Sequence, residues 1–157
     1  MIIKVQSAII DKTLEVLKRA GQQPPYGHEG IVLWLGKRSG DTADVAEAYE
    51  PVHEAEADFF LIPREGMEAL MQRLREKRVY VLGQVHSHPQ QAFHSPADDE
   101  WAVVRHVGAL SLVLPWFALR TDVSTFVRDA TVFVCTAENK WREVEPDNIR
   151  LHYMVSP

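Results

Sequence analysis

The chain has 157 residues, 46% of them hydrophobic and 25% charged, and a formal net charge of −5. That length predicts one domain over 1–157 with a core that needs no staples, and the composition excludes collagen, coiled coil and disorder. The acidic balance argues against a nucleic-acid partner, and the one cysteine, Cys135, excludes an internal disulfide or a Cys-rich zinc site.

The first residues lack the apolar core of a signal peptide, and 2–6 reads as a short edge strand. Ile10, Leu14 and Leu17 recur at helical spacing and predict a helix over 9–20, with Gly21 as its C-cap. Pro24, Pro25 and Gly27 make 22–28 a loop. Residues 31–35 are apolar on both faces, the mark of an interior strand; 39–41 turns the chain and 44–49 pairs back. The acidic stretch 52–58, with Glu54, Glu56 and Asp58, reads as an irregular, solvated loop. A short strand is expected over 59–62. Pro63 then opens a helix whose buried stripe is Met67, Leu70, Met71 and Leu74.

Strands are expected over 79–85, 110–114, 131–135 and 141–144. Ser95 and Pro96 form a helix start, as N-cap and first helical residue, for a helix running to about 106. The longest uncharged apolar run, 107–119, contains Pro115 and is too short to span a bilayer. No membrane contact is expected, and a cytoplasmic location fits. Interleaved strands and helices predict an α/β class with a single mixed β-sheet flanked by helices.

The chemistry concentrates in Gly83-Gln84-Val85-His86-Ser87-His88-Pro89 and in Ser95-Pro96-Ala97-Asp98-Asp99. His86 and His88 stand two apart at a strand end, so both imidazoles point to one face and can chelate a divalent metal. A carboxylate in the first turn of the Ser95-capped helix could supply a third ligand. Three protein ligands and one open position is the arrangement of a catalytic zinc rather than a structural one.

His-Ser-His-Pro followed by Ser-x-x-Asp resembles the JAMM motif of the MPN-domain metalloproteases, of prokaryotic JAB type. In that family two histidines and an aspartate hold zinc, and an upstream glutamate polarises the attacking water. Glu29-Gly30-Ile31-Val32-Leu33-Trp34-Leu35-Gly36 matches the glutamate element, seven residues before a glycine across an apolar strand. The likeness runs from about Glu29 to Cys135 and implies an MPN fold, of the cytidine-deaminase-like kind. It implies a zinc-dependent isopeptidase or peptidase acting on the C-terminal tail of a ubiquitin-like modifier. Partners would be that modifier or its conjugates, with associated conjugation enzymes. Two other readings are a metallopeptidase or amidase with an unrelated substrate, and a non-catalytic MPN interaction module.

Carried onto this chain, the likeness makes His86, His88 and an aspartate the Zn2+ ligands and Glu29 the general base. Ser95 would stabilise the oxyanion. The chain departs from the family in one place: six residues, 89–94, separate the second histidine from the serine, where seven are usual. Asp99 restores the usual His-to-Asp distance, and Asp98 restores the Ser-x-x-Asp spacing. Helix phase favours Asp98, because the third helical residue reaches back toward its cap. Partner choice is expected to rest on 52–58 and 115–128.

Other residues carry less. Ser87 points away from the histidines and is expected to shape the loop. His94 reads as solvated or loop-stabilising, His28 as structural or solvent-facing, and His53, His106 and His152 have no partner at a metal spacing. Cys135 reads as a small buried hydrophobe. No His-Glu-x-x-His, Pro-Cys-x-x-Cys or Walker loop occurs.

Overall fold

Side-chain alternation and continuous apolar runs resolve into ten strands and four α-helices in the computed structural model, which describes residues 1–57, 60–100 and 102–157. In chain order these are β1 (Ile2–Gln6), α1 (Ser7–Gly21), β2 (Ile31–Ser39), β3 (Thr42–Tyr49), β4 (Glu54–Ala55), β5 (Phe60–Leu61), α2 (Arg64–Lys77), β6 (Tyr80–Ser87), α3 (Pro96–Glu100), β7 (Leu110–Leu114), α4 (Phe126–Asp129), β8 (Thr131–Cys135), β9 (Trp141–Glu143) and β10 (Tyr153–Ser156).

Among the described residues, eight strands form one mixed sheet in the order β10-β1-β3-β2-β6-β7-β8-β9, and β4 pairs with β5 in a separate two-stranded piece. This is the expected α/β class, one main mixed sheet flanked by helices. β2 lies antiparallel to both β3 and β6, while β6 and β7 run parallel. Its Ile31 to Leu35 run is fully buried because both faces are covered. On one face Val32, Trp34 and Val85 meet Ile10, Leu14 and Leu17 of α1. On the other, Ile31, Leu33 and Leu35 meet Phe60 and Leu70. Each such side chain contributes roughly 1.5–3 kcal/mol by leaving water. Trp34 keeps its indole N–H satisfied inside the core by donating to Thr13 Oγ1 at 3.1 Å.

Several expectations are corrected. β1 is not an edge strand: β10 pairs along its outer side in parallel, a pairing between the two ends of the chain that local pattern does not reveal. Gly21 is the last residue of α1 rather than a left-handed cap. Its lack of a side chain serves a close approach, since a Cβ there would overlap Phe117. Residues 52–58 are not wholly irregular, because Glu54–Ala55 pairs with Phe60–Leu61; the expected strand and loop positions Phe59 and Asp58 lie outside the described residues. Met71 is 46% exposed; the stripe of α2 is narrower than its apolar residues imply, because a single sheet face covers it.

The helix after Ser95 ends at Glu100 rather than near 106, position 101 lying outside the described residues. Tertiary bonds draw the following segment out of helical geometry. Val103 N–H donates to Gln84 Oε1 at 3.0 Å, and His106 Nε2 lies 2.9 Å from the Val81 carbonyl. Gly108 then turns with φ of +82°.

Candidate metal centre

β6 delivers two imidazoles to one side of the sheet. His86 and His88 are buried, with ring centroids 5.1 Å apart. Ser87, between them, faces the other way, and its Oγ accepts the Gly30 N–H at 3.1 Å. The Ser87 N–H in turn donates to the Gly30 carbonyl at 3.2 Å. This exchange continues the β2–β6 register, in which Ile31 pairs with His86, and it lays Glu29 opposite His88. Glu29 is buried, its N–H donates to the Glu56 carbonyl at 2.8 Å, and its Oε1 lies 3.6 Å from His88 Nε2.

α3 brings the third group. Ser95 and Asp98 form a reciprocal capping box: Asp98 N–H donates to Ser95 Oγ at 3.1 Å, and Ser95 N–H donates to Asp98 Oδ2 at 2.7 Å. The carboxylate so aimed is 4% exposed. Its Oδ1 stands 3.2 Å from His86 Nε2 and its Oδ2 3.2 Å from His88 Nε2. Burial pushes the Asp98 carboxyl up, but the two imidazole contacts and the Ser95 N–H together outweigh it and hold the group well below the usual carboxylate range. Asp99, the alternative third group, is exposed and lies 3.6 Å from the Arg105 guanidinium.

One candidate ligand atom from each of His86, His88 and Asp98 lies within 4.8 Å of the other two. Both Nε2 atoms are buried and make no hydrogen bond among the described residues, although Asp98 is near: the contacts are out of line for one. Two buried imidazole nitrogens that converge on one carboxylate could hold a cation between them. The donor set of two imidazoles and a carboxylate fits a divalent metal.

Around this point the chain is held tightly. His88 N–H donates to the Leu114 carbonyl at 2.9 Å, and the His88 carbonyl accepts the Phe117 N–H at 2.7 Å. Phe117 belongs to a left-handed turn in which Trp116, Phe117 and Ala118 all have φ between 52° and 58°, a conformation costing roughly 1–2 kcal/mol per residue. Phe117 is buried against Gly21 and Gly27, which have no Cβ to obstruct it. No residue type in 115–119 signals a left-handed turn, so the sequence alone does not predict it.

His94 differs from its expected loop role by being wedged between Phe133 and Trp141, with ring centroids 4.9 and 5.4 Å away. Burial, followed by the neighbouring His86 ring, pushes its pKa down to about 4, against the opposing pull of Asp98 and Asp99. His28 lies beside Glu29 in a cleft of about 180 Å3 that also takes in Glu50 and His53. A second cleft, of about 210 Å3, is lined by Glu29, His88, Pro89, Gln90, Phe93 and Ser95. Phe93 was not singled out by sequence; it is exposed and sits edge-on to His88 at 4.6 Å. A larger cleft of about 620 Å3, between α4, β8 and the 146–151 turn, touches none of these groups.

Residues 12–142 match the family profile described as prokaryotic homologs of the JAB domain, a span that includes Glu29, His86, His88, Ser95 and Asp98. Over 106 residues the chain is 37% identical to a curated relative from Sinorhizobium fredii named "Probable metalloprotease y4jG". That match covers 65% of this chain and 64% of the relative, so the chain spans just under two thirds of its length. The solution structure of protein DSY2949 from Desulfitobacterium hafniense superposes with a TM-score of 0.66 over 99% of this chain and 93% of that one, at 20% identity, and so shares the fold. No helix among the described residues is long and apolar enough to cross a membrane. By the length of the profile match, the chain belongs to the family of prokaryotic JAB-domain proteins.

Proposed function

We propose that this protein is a zinc-dependent peptidase or isopeptidase that cuts at the C-terminal tail of a ubiquitin-like modifier, in deconjugation or precursor processing. The observation that carries the hydrolytic part is the convergence of His86, His88 and Asp98, with Glu29 Oε1 3.6 Å from His88 Nε2. His86 Nε2, His88 Nε2 and the Asp98 carboxylate would hold the metal. When bound, a zinc ion supplies Lewis acidity, polarising a carbonyl and making water acidic enough to react near neutral pH.

The chain's own groups do the rest. Glu29 takes the proton of the attacking water and passes it to the departing amine, acting first as base and then as acid. Ser95 Oγ accepts the Asp98 N–H, and its hydroxyl hydrogen is directed to the oxyanion that develops on the scissile carbonyl. Glu29, His88 and Ser95 line one cleft of about 210 Å3, so these groups act on one bound carbonyl.

The substrate class is supported by shape and by family. Clefts of about 210 and 180 Å3 meeting at Glu29 suit an extended chain rather than a globular surface. The nearby β4–β5 ribbon offers backbone groups for strand pairing with such a tail. The modifier, its conjugates and conjugation enzymes are the partners this reading requires.

The experiment incubates zinc-loaded protein with a ubiquitin-like protein fused through its tail to a reporter, and in parallel with a library of unrelated extended peptides. Cleavage at the end of the tail, abolished by a chelator, is expected. Equal cutting of the unrelated library would point instead to a general metallopeptidase. Stoichiometric zinc with no hydrolysis of either would point to a non-catalytic module.

A further inference from the structure

His86 is fully buried, and neither of its ring nitrogens has a hydrogen-bond partner among the described residues. Nε2 lies 3.2 Å from Asp98 Oδ1 and belongs to the metal cluster. The ring's proton then sits on Nδ1. A metal-bound histidine needs that second nitrogen tied to an acceptor, which sets the tautomer and the tilt of the ring.

His94 offers the matching group. Its Nε2 is also buried without a partner among the described residues, and a neutral imidazole has one acceptor nitrogen. The two rings stand edge-on, with centroids 6.4 Å apart at 68°. Ring nitrogens lie about 1 Å from a centroid, so no two ring nitrogens come closer than about 4 Å, too long for a direct bond and leaving a water as the group that can join them. Trp141, whose ring is 5.4 Å from His94, contributes a third buried polar atom without a partner, Nε1. A buried water takes two to four such partners. A cleft of about 480 Å3 lined by His94, Ser95, Pro96, Asp99, Lys140 and Trp141 opens beside the His94 and Trp141 rings.

We infer that His94 is the outer partner of His86: one water accepts the His86 Nδ1–H, with Trp141 Nε1–H as second donor, and donates to His94 Nε2. His94 is thus a positioning residue that fixes the direction in which His86 presents Nε2 to the metal. The inference rests on the metal-site reading above. It also explains an imidazole in a slot between Phe133 and Trp141 that a purely apolar ring would fill as well.

The test measures zinc affinity by chelator competition for the wild type, His94→Phe and His94→Gln. Phe keeps the ring and its packing but removes the acceptor; Gln loses the ring but places an oxygen near the position of Nε2. Expected is about 10–100-fold weaker zinc for His94→Phe, with His94→Gln recovering most of the affinity. A purely structural ring gives the reverse order, with Phe tolerated and Gln damaging, and that order overturns the inference. A second readout needs no variant: in the zinc-loaded wild type, nitrogen–proton NMR should show both His86 and His94 protonated on Nδ1. A proton on His94 Nε2 also overturns it. Wild-type protein that takes up no zinc overturns the metal-site reading instead; zinc uptake with unchanged affinity in His94→Phe dismisses the role of His94 alone.

Discussion

Ser95 and Asp98 exchange two hydrogen bonds, at 2.7 and 3.1 Å, and that exchange turns the Asp98 carboxylate inward to lie 3.2 Å from both His86 Nε2 and His88 Nε2. One residue later on the helix, Asp99 is rotated by about 100° and faces solvent and Arg105. With six residues between His88 and Ser95, the capping exchange still forms.

Asp98→Asn should therefore lose most bound zinc, whereas Asp99→Asn should bind it as the wild type does. Metal analysis of the two purified variants decides the matter. Retention of zinc in Asp98→Asn with loss in Asp99→Asn would falsify the assignment of the third ligand.

Glu29 sits opposite His88, its Oε1 3.6 Å from His88 Nε2, and lines the same cleft as His88 and Ser95. Glu29→Gln keeps the shape and removes the base. Zinc content should be unchanged while hydrolysis falls by roughly 10²–10⁴-fold, the usual size of an acid–base contribution. Wild-type turnover in this variant would remove Glu29 from the mechanism.

His94 supplies a pH prediction for the metal-free protein. Its folded pKa is lowered from 6.5 to about 4, chiefly by burial. Between those values the unfolded chain binds a proton that the folded chain refuses, so stability is lost as pH falls through this window and levels off below it. The loss attributable to this ring, discounted for its partial exposure, is on the order of 1–2 kcal/mol. Denaturant unfolding of wild type and His94→Phe near pH 7 and near pH 4.5 checks it. The variant should lose less stability on acidification, and equal losses would dismiss the claim.

Arg78 follows the last turn of α2 in a left-handed conformation, φ 53° and ψ 50°. Its N–H donates to the Arg75 carbonyl, and the Val79 N–H closes back on Leu74, a Schellman-type ending that favours glycine. Arg78 is exposed and makes no ion pair among the described residues. Arg78→Gly should stabilise the protein by about 0.5–1 kcal/mol, the steric relief exceeding the added chain entropy. A lower denaturation midpoint for the variant would show that the turn is unstrained.

Much of this molecule is legible in short stretches of sequence. The pairing of His86 with His88 on one face follows from strand alternation, and the inward aim of Asp98 follows from a cap three residues away. The buried runs of β2 and β7 follow from apolar residues on both faces. These features depend on bonds and torsions within a few residues, so residue type alone decides them. Family likeness pointed to Glu29, but its approach to His88 depends on β2–β6 register and on the Gly30–Ser87 exchange. The placing of β10 against β1, the early end of α3 under the pull of Gln84, and the left-handed turn at Phe117 are likewise decided across the chain. So is the slot that sets His94 beside His86, built from Phe133 and Trp141 some forty residues downstream. Such contacts bring together segments whose local sequences carry no record of one another, and only the closed packing of the sheet selects them.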